Sequence, residues 1–539
     1  MTKDIVTSDV VVVGGGLGAV AAALACLRQG HTAVLASPHH ILGGQLTAQG
    51  VPLDEHPWAE AIGSASYRSM REGIRAYYRR NYPLTHQAAN DARLNPGLGN
   101  ISTLTHEPSV AAAVIEELLA PWASAGRLRV LRSVSLVGAD VDGAQLRSVH
   151  VRAGTGMELE LNAPMFVDAS ELGDLLPLAG VEYVIGGEGR DDTGELNALE
   201  VADPYEQQAA TWCFAVDYRP GENHTIAEPA GFRRWRTIQI PDWPGPQFSW
   251  TVSDHVTHEP RDRKLFAGPP GPEWRWDLWH ARRIFSRFTF QDGFADSDVT
   301  LANWPQMDYW AKPLLGVGAA DHQQALQECK DLSRSFLYWM QTQAPRLDGG
   351  QGYPELRLRG DVLGTNDGFA LEPYYRESRR IVPELRVLEQ HIGVAAREGA
   401  RGAETFDDTV GVGAYRIDIH PSTRERNTVD IDTFPYQIPL GALICASADN
   451  LLAGAKNIGT TRVTNGAYRV HTTEWSVGEA AGHVAGYCVE NGTVPSAVRA
   501  TPQHLASVQD ALVRDGVDLA WPEFGALVPT SRPGWRRAE

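Results

Sequence analysis

Three consecutive glycines near the start of the chain form the pattern with the clearest chemical use. They follow the apolar segment Val10–Val13 and give the spacing Gly14-x-Gly16-x-x-Ala19. Glycine leaves the backbone open to a pyrophosphate group, and the N–H groups and dipole of a helix N-terminus favour an anion. The pattern therefore predicts a dinucleotide site, with candidate contacts at Gly14, Gly16, Gly18 and Ala19.

The elements that must position this turn can be predicted from the neighbouring residues. Val10–Val13 is a short β-branched segment, typical of a strand buried on both faces of a parallel sheet. Leu17–Gln29 is rich in Ala and Leu and contains no Pro, which predicts a helix, and Gly30 suits its left-handed end. Thr32–Ala36 gives a second strand, so the helix N-terminus lies over the end of the first one.

Ser37 follows the second strand and leaves the nucleotide undecided. An Asp or Glu is expected there to bind the ribose hydroxyls. A serine can also bind a ribose hydroxyl, although more weakly than a carboxylate does. NADP is the competing interpretation, but no Arg follows Ser37, and His39 and His40 are the only candidates for its extra phosphate.

The next loop carries a resemblance that favours one cofactor. The string ILGGQLTAQGVPLDEHPWAE resembles the equivalent loop of a bacterial family of FAD-dependent oxidoreductases with the glutathione-reductase-like fold. That resemblance implies a loop running past the ribityl chain of FAD to its isoalloxazine ring. The alternative is a glycine-rich surface loop. The implied contacts are Gly43, Gly44, Gln45, Leu46, Thr47, Gln49 and Gly50.

Three later segments are similar to the same family. They are DASELGDLLPLAG from Asp168, EPYYRESRRI from Glu372 and NIGTTRVTNGAYRVHTTEW from Asn457. The resemblance implies further FAD contacts at Ala169, Asn457, Asn465, Gly466, Arg469 and Glu474. It also implies an α/β fold, in which a Rossmann-type FAD-binding domain of the glutathione-reductase-like kind carries an inserted α+β substrate domain.

A second helix is predicted to complete the cofactor site. Thr472 or Thr473 can cap it, it runs to about Glu490, and Asn491-Gly492 ends it. Its small residues recur at helical spacing at positions 478, 481, 482 and 485, which permits close packing against another backbone or a planar ring. Its N-terminus would stabilise negative charge at the N1/C2=O edge of a reduced flavin. A plain core helix is the alternative.

Composition changes along the chain suggest the division into domains. The first part, 1–183, includes a predicted helix at Glu107–Leu119 and a β-meander from Arg127 onward. A tryptophan-rich segment at 184–400 is the predicted substrate domain. Residues 401–490 are predicted to hold the return strands of that domain and the closing FAD-binding segment, and 491–539 a helix and tail. Aromatic walls would suit an aromatic or apolar substrate. The alternative is that most of these tryptophans belong to the core.

The bulk numbers exclude several classes of function. The 539 residues include 66 acidic and 48 basic side chains, a net charge of −18, which argues against a nucleic-acid or anionic-membrane surface. No apolar stretch is long enough to span a bilayer, and the first residues do not form a secretory signal. The five cysteines are dispersed, which predicts a reduced, cytoplasmic protein. No cluster with metal-ligand spacing is evident, so no metal is expected.

These features together predict an FAD-dependent oxidase or dehydrogenase. It would take a hydride from a C–H bond beside an alcohol or amine of a small molecule and pass the electrons to O2 or a carrier. His471 or His56 would accept the proton, since histidine titrates near neutral pH, and Tyr374, Arg376 or Arg469 would orient the substrate.

Other functions and properties stay open. An NAD(P)H-dependent flavin monooxygenase or reductase is one alternative, although Gly411-Val412-Gly413-Ala414 lacks the spacing of a second nucleotide turn. A flavoprotein that uses FAD in a non-redox role is another. A homo-oligomer and a covalent link to the cofactor are both compatible with the sequence.

Overall fold

The computed structural model describes residues 4–240, 242–268, 277–424 and 426–522. The strands in these ranges are β1 Asp4–Thr7, β2 Val10–Val13, β3 Ala33–Ala36, β4 Leu128–Leu131, β5 Val134–Asp142, β6 Gln145–Ala153, β7 Glu158–Asn162, β8 Met165–Asp168, β9 Tyr183–Val184, β10 Ala210–Thr211, β11 Phe214–Tyr218, β12 Thr251–Ser253, β13 Pro260–Asp262, β14 Arg283–Phe285, β15 Val299–Ala302, β16 Asp308–Tyr309, β17 Leu356–Leu358, β18 Arg380–Ile381, β19 Thr409–Gly413, β20 Ile417–Ile419, β21 Val429–Ile431, β22 Tyr436–Pro439 and β23 Leu451–Ala453.

The helices connect and cover these strands. They are α1 Leu17–Arg28, α2 Ala65–Asn81, α3 His86–Asn90, α4 Pro108–Ser124, α5 Leu175–Leu178, α6 Arg190–Thr193, α7 Phe232–Trp235, α8 Leu278–Ala281, α9 Ala319–Thr342, α10 Gly360–Leu363, α11 Glu389–Ile392, α12 Arg462–Tyr468, α13 His471–Asn491, α14 Pro495–Ala500 and α15 Pro502–Arg514. Among the described helices, none joins the length and the sustained hydropathy that crossing a bilayer requires. The predicted C-terminal tail, 523–539, lies outside the described residues.

A parallel sheet in the order β23-β8-β2-β3-β4 forms the centre of the nucleotide-binding half. Its neighbouring strands are all parallel, and the end of β2 is in register with the ends of both neighbours, Val13 opposite Ala36 and Asp168. All four residues of β2 are buried, as expected for a strand covered on both faces. The predicted α/β class is confirmed.

The predicted meander is correct except at its start. Strands β5, β6 and β7 pair antiparallel, and β1 adds to β7 in parallel. β4, however, pairs with β3 at the edge of the central sheet. Its register there places Leu128 opposite Ala33, and Leu128 is buried in the main core.

Helices α1 and α13 cross in contact through small residues. A Cβ atom added to Gly478 would lie 2.0 Å from the carbonyl oxygen of Gly18, and one added to Gly482 would lie 2.2 Å from that of Ala22. The small-residue stripe therefore packs against another backbone, one of the two partners that its spacing allowed. This contact fixes the start of α13 relative to the glycine turn.

The predicted cap of α13 is wrong at its start and correct at its end. Val470 is the N-cap, with extended backbone and no capping side chain, so Thr472 and Thr473 lie inside the first turn. The reason is that α12 ends at Tyr468 with Arg469 as its C-cap, directly before Val470, and the capping threonine of this segment is Thr461, which caps α12. Gly492 ends α13 in the left-handed conformation, as predicted.

A second apolar core lies in the inserted segment. Its buried members come from residues 210–374, joined by Val51, and surround α9 and the sheet β14-β15-β11-β17. Of the ten clustered tryptophans, Trp274 and Trp276 lie outside the described residues, and the other eight are all buried in core clusters. The aromatic-substrate prediction therefore loses its main support, and the domain boundaries stay a prediction.

Candidate active site

The glycine turn after β2 is shaped by packing at one position and by polar groups at another. Gly14 has φ +128°, and a Cβ atom there would lie 2.1 Å from the carbonyl oxygen of Ala169, so only glycine fits. Gly16 is the N-cap of α1, and no side chain caps this helix. A Cβ atom at Gly16 would meet only the ends of two flexible side chains, Glu474 at 2.9 Å and Glu171 at 3.0 Å.

A carboxylate already lies at this helix N-terminus. Glu474 Oε1 accepts a hydrogen bond from the backbone N–H of Gly18 at 3.1 Å, and Oε2 accepts one from Gln45 Nε2. Burial and the nearby charge of Glu171 raise the pKa of Glu474 to about 7. The turn therefore offers its N–H groups to an oxyanion, which is the chemistry that a phosphate group needs.

Glu171 and Lys456 were missed as site residues by sequence reasoning. Lys456 is 1% exposed and forms an ion pair with Glu171, directly beside Glu474. A lysine buried to this extent needs a partner, since burial of a lone ammonium group is strongly unfavourable. The available signal was this single lysine in the apolar stretch AGAKNIG.

The loop after β3 is a buried element, which excludes the surface-loop alternative. Every residue from Leu42 to His56 is buried. Gly43 N donates to Gly15 O at 2.7 Å, and Gly44 has φ +48° with its potential Cβ position 2.7 Å from Gly16 Cα. The loop thus rests on the glycine turn itself, and a side chain at Gly44 would separate the two.

Two glutamines of this loop have polar atoms without partners. Gln45 Nε2 also donates to Arg469 O at 3.0 Å, and Gln49 Nε2 donates to Glu372 Oε1 at 3.0 Å. The Oε1 atoms of both glutamines are buried and have no hydrogen-bond partner among the described residues. Such atoms fit a site that a cofactor completes, because buried polar groups are rarely left unsatisfied.

Several other side chains that were predicted to contact the cofactor form hydrogen bonds with the protein's own main chain. Ser37 Oγ donates to His39 O at 3.1 Å and accepts from His39 N at 3.2 Å. Thr47 Oγ1 donates to Leu42 O at 2.8 Å, and Asn457 Nδ2 donates to Asp168 O at 2.9 Å. These side chains hold the loops in shape.

The remaining predicted contacts are buried as well. Asn465 Nδ2 donates to Arg376 O at 2.8 Å, and its Oδ1 has no partner among the described residues. Those that contribute through size and burial are Ala19, Leu46, Gly50, Ala169 and Gly466.

A network of buried charges lies at the other end of the loop. Arg469 is the C-cap of α12. Its Nη1 donates to Tyr374 Oη at 2.5 Å, and its Nη2 lies 3.3 Å from Asp418 Oδ2. Arg376 Nη1 lies 3.3 Å from Asp308 Oδ1. The structure therefore brings three predicted residues, Tyr374, Arg376 and Arg469, into one polar region.

His420 joins the two ion pairs of this network. Its Nδ1 lies 2.7 Å from Asp308 Oδ2, and its Nε2 lies 3.4 Å from Asp418 Oδ2. Burial and Arg376 act to lower the pKa of His420, but the two aspartates outweigh them and raise it. Because both ring nitrogens face carboxylate oxygens, this position favours the doubly protonated form of the ring.

His471 faces the same region but is tied to the buried loop. The backbone N–H of Asp54 donates to His471 Nδ1 at 3.1 Å, so the neutral ring carries its hydrogen on Nε2. Burial lowers the pKa of His471, which favours that neutral form. Nε2 has no partner among the described residues. This geometry suits a hydrogen-bond donor, so it speaks against the predicted role of proton acceptor.

His56 has a different environment. Its ring lies 5.3 Å from that of Trp521 and 6.3 Å from that of Trp58. Burial lowers its pKa to about 4, while Glu55 raises it and Arg71 lowers it by smaller amounts. His56 therefore packs in an aromatic pocket beside the Glu55–Arg71 ion pair.

Three potential metal ligands meet on the meander, where the spacing along the sequence indicated no such group. Asp140, His150 and Glu160 on the meander have ligand atoms within 4.8 Å of one another. These residues are distant in sequence and meet only through the pairing of β5, β6 and β7. Asp140 is exposed, and its carboxylate already binds His150 Nε2 at 2.7 Å.

Comparison with known proteins decides the family. A family model described as FAD dependent oxidoreductase matches residues 9–512. The chain belongs to the FAD-dependent oxidoreductase family. It is therefore an oxidoreductase whose cofactor is FAD. FAD is an adenine dinucleotide, the kind of cofactor that the glycine turn predicts. No curated protein matches the chain.

Several solved structures are similar to the chain at low sequence identity. A geranylgeranyl bacteriochlorophyll reductase-like protein from Thermoplasma acidophilum is 11% identical, with 95% of this chain and 84% of that chain covered and a TM-score of 0.32. L-Proline dehydrogenase from P. horikoshii is 18% identical, with 35% of this chain and 25% of that chain covered and a TM-score of 0.17. The match thus spans a quarter of that enzyme.

Proposed function

We propose that FAD binds in the manner of the glutathione-reductase-like fold, with its pyrophosphate at the N-terminus of α1. The proposal rests on the Glu474 carboxylate, which accepts from Gly18 N where a phosphate oxygen is expected. Gly16 leaves the space that a methyl group would fill, and Gln45 and Gln49 offer free acceptor atoms farther along the loop. Glu474 and Glu171 are the groups that must move or be protonated when the phosphates arrive.

The reaction we propose is the oxidation of an alcohol or amine by an oxidase or dehydrogenase. Bound FAD supplies the acceptor for a hydride from the substrate carbon. The observation that supports this reaction best is the group of buried side chains with free polar atoms where α12 meets α13. Asp54 Oδ1, Arg469 Nε and His471 Nε2 are buried and have no partner among the described residues.

Each of these side chains has a role that its contacts allow. Tyr374 Oη accepts from Arg469, so its own hydrogen is free to bind a substrate oxygen or nitrogen. Asp54 can take the proton of the substrate hydroxyl or amine as the hydride leaves, which yields a carbonyl or imine. His471 can donate from Nε2 to the product atom. Arg376, bound to Ala209 O and Thr211 Oγ1, is a positioning residue for Tyr374.

The pyridine-nucleotide alternative finds no support at the place where the sequence was closest to it. Gly411–Gly413 belongs to β19, which pairs antiparallel with β22. It is therefore a buried strand without a following helix. An intracellular location stays part of the proposal, because all five cysteines are buried and free.

Anaerobic reduction of the holoenzyme tests this function. We expect an alcohol or amine from a substrate panel to bleach the flavin absorbance and NADPH to leave it unchanged. Asp54→Asn should slow the bleaching by about 100-fold, because general-base catalysis contributes at least that much. Tyr183→Phe, at a partly exposed ring far from the cluster in sequence, is the matched control and should have no effect. Bleaching by NADPH alone would contradict the proposal.

A further inference from the structure

Arg282 is a partly buried arginine whose Nη1 has an ion-pair partner but no hydrogen-bond partner in the described part of the chain. It lies between α8 and β14, and its side chain is 16% exposed. Its nearest carboxylate oxygen is Asp54 Oδ2, 3.6 Å from Nη1, which is too long for a hydrogen bond. Nη1 is itself buried without a hydrogen-bond partner in the described part of the chain. Nη1 therefore keeps a hydrogen to offer a ligand, because buried donors are normally hydrogen-bonded.

Arg282 and Arg469 face the same space. Asp54 links them, because its Oδ2 lies 3.6 Å from Arg282 Nη1 and its backbone N–H donates to Nδ1 of His471, two residues after Arg469. The charge of Asp54 is also among the groups that raise the pKa of both arginines. Arg469 Nε is also buried without a described partner, so both arginines have a donor left for a ligand.

The surrounding charges do not supply the missing anion. Asp308 and Asp418 are already shared among Arg376, His420 and Arg469, so neither is left to pair with Arg282. Burial and the like charge of Arg282 lower the pKa of Arg263, on the other side, to about 10. The space between Arg282 and Arg469 is therefore electropositive, and a neutral ligand would leave it so.

We propose that the substrate carries a carboxylate group, which binds Arg282 and Arg469 and holds the carbon to be oxidised beside Asp54. This inference rests on the proposed function, since it names the class of substrate for that reaction, an acid that bears an alcohol or amine. A guanidinium group matches a carboxylate with two parallel hydrogen bonds, which fixes orientation as well as charge. The carboxylate would supply the anion that the protein lacks here.

The test uses simple acids as probes of the FAD-loaded, full-length protein. Formate, acetate and benzoate are titrated while the flavin spectrum and the heat of binding are followed, with formamide, acetamide and benzamide as neutral isosteres. We expect at least one acid to bind and its amide to bind at least about 10-fold more weakly, because a hydrogen bond to a charged group is worth that much.

Variants locate the binding site. Arg282→Gln should weaken the binding of that acid at least about 10-fold, and Arg282→Lys should recover part of it, because it keeps the charge but loses the planar fork. Arg233→Gln, at a side chain 92% exposed, is the matched control and should bind as the parent does. FAD content and circular dichroism establish that each variant is folded.

The outcomes separate this inference from the proposed function. A protein that binds no FAD contradicts both. A protein that binds FAD but no acid, binds the amides equally well, or binds acids unchanged after Arg282→Gln overturns the carboxylate proposal while the oxidoreductase assignment stands.

Discussion

The glycine turn and the charged network are built from different parts of the chain and by different forces. The turn, with α1 and α13, is held by backbone contacts between small residues, such as Gly478 against Gly18. The network is held by long side chains from separate elements, such as Asp308 on β16 and His420 after β20. A Cβ atom added at Gly478 would force the helices of the first region apart, whereas loss of a carboxylate would leave buried cations unpaired in the second.

This difference teaches how the two sites can vary. A cofactor shared by a whole family needs one backbone shape, and glycine and alanine allow the backbone to adopt that shape. A substrate site needs particular charges at particular distances, and ion pairs buried for that purpose contribute little net stability themselves. The predictions below test whether the two regions respond to substitution as this contrast requires.

The largest effect is expected in the charged network. Asp308→Asn removes the charge that faces both Arg376 and His420, and leaving buried cations uncompensated should lower the free energy of unfolding by about 3–5 kcal/mol. Asp296→Asn, at a carboxylate 76% exposed, is the control and should change it by less than about 1 kcal/mol. Denaturant titration measures both. Equal, small changes would show that the network is not electrostatically coupled.

Steric packing should give the next largest effect, in the turn region. Gly478→Ala places a Cβ atom 2.0 Å from Gly18 O, so α1 and α13 must separate, and we expect a loss of about 3 kcal/mol. Gly154→Ala adds the same atom where nothing lies within 4 Å and serves as the matched control. If the two variants unfold at the same temperature, the close contact between α1 and α13 is contradicted.

Glu474 combines the features of both regions, because it places an ionisable carboxyl group beside the backbone of the glycine turn. Its pKa is raised from 4.5 to about 7, so its contribution to stability is present below pH 4.5 and lost as the pH rises through 7. In the FAD-free protein, the free energy of unfolding of Glu474→Gln should therefore rise relative to that of the parent between these pH values, by up to about 3 kcal/mol at pH 8. A difference between variant and parent that does not change with pH would contradict the buried, raised carboxyl group.

The smallest effect is expected at Ser37. Its hydroxyl makes both of its hydrogen bonds with the main chain of His39, so Ser37→Ala should change FAD affinity by less than about 3-fold. Fluorescence titration of the FAD-free protein measures the change. A loss of 10-fold or more would instead support the ribose contact expected from the sequence.

The cofactor half was predictable because its constraints are local. Val10–Val13 and the glycines after it are adjacent in sequence, so periodicity and glycine spacing identify them. The threonine cap of α13 was predicted wrongly because the preceding helix ends so close to it, which a single helix pattern does not reveal. Asp308, Asp418 and His420 could not be found, since they meet through the packing of two separate small sheets, β10-β16 and β20-β21, which no local pattern encodes.

The most direct test of the account is the FAD content of Gly16→Ala beside that of the parent and Gly154→Ala. A Cβ atom at Gly16 meets only flexible side-chain ends, so the variant should fold normally but place a methyl group where the pyrophosphate belongs. We predict that parent and control release about one FAD per chain on heating, and that Gly16→Ala loses at least about 10-fold in FAD affinity with an unchanged circular dichroism spectrum. FAD binding by Gly16→Ala equal to that of the parent would contradict the proposed site.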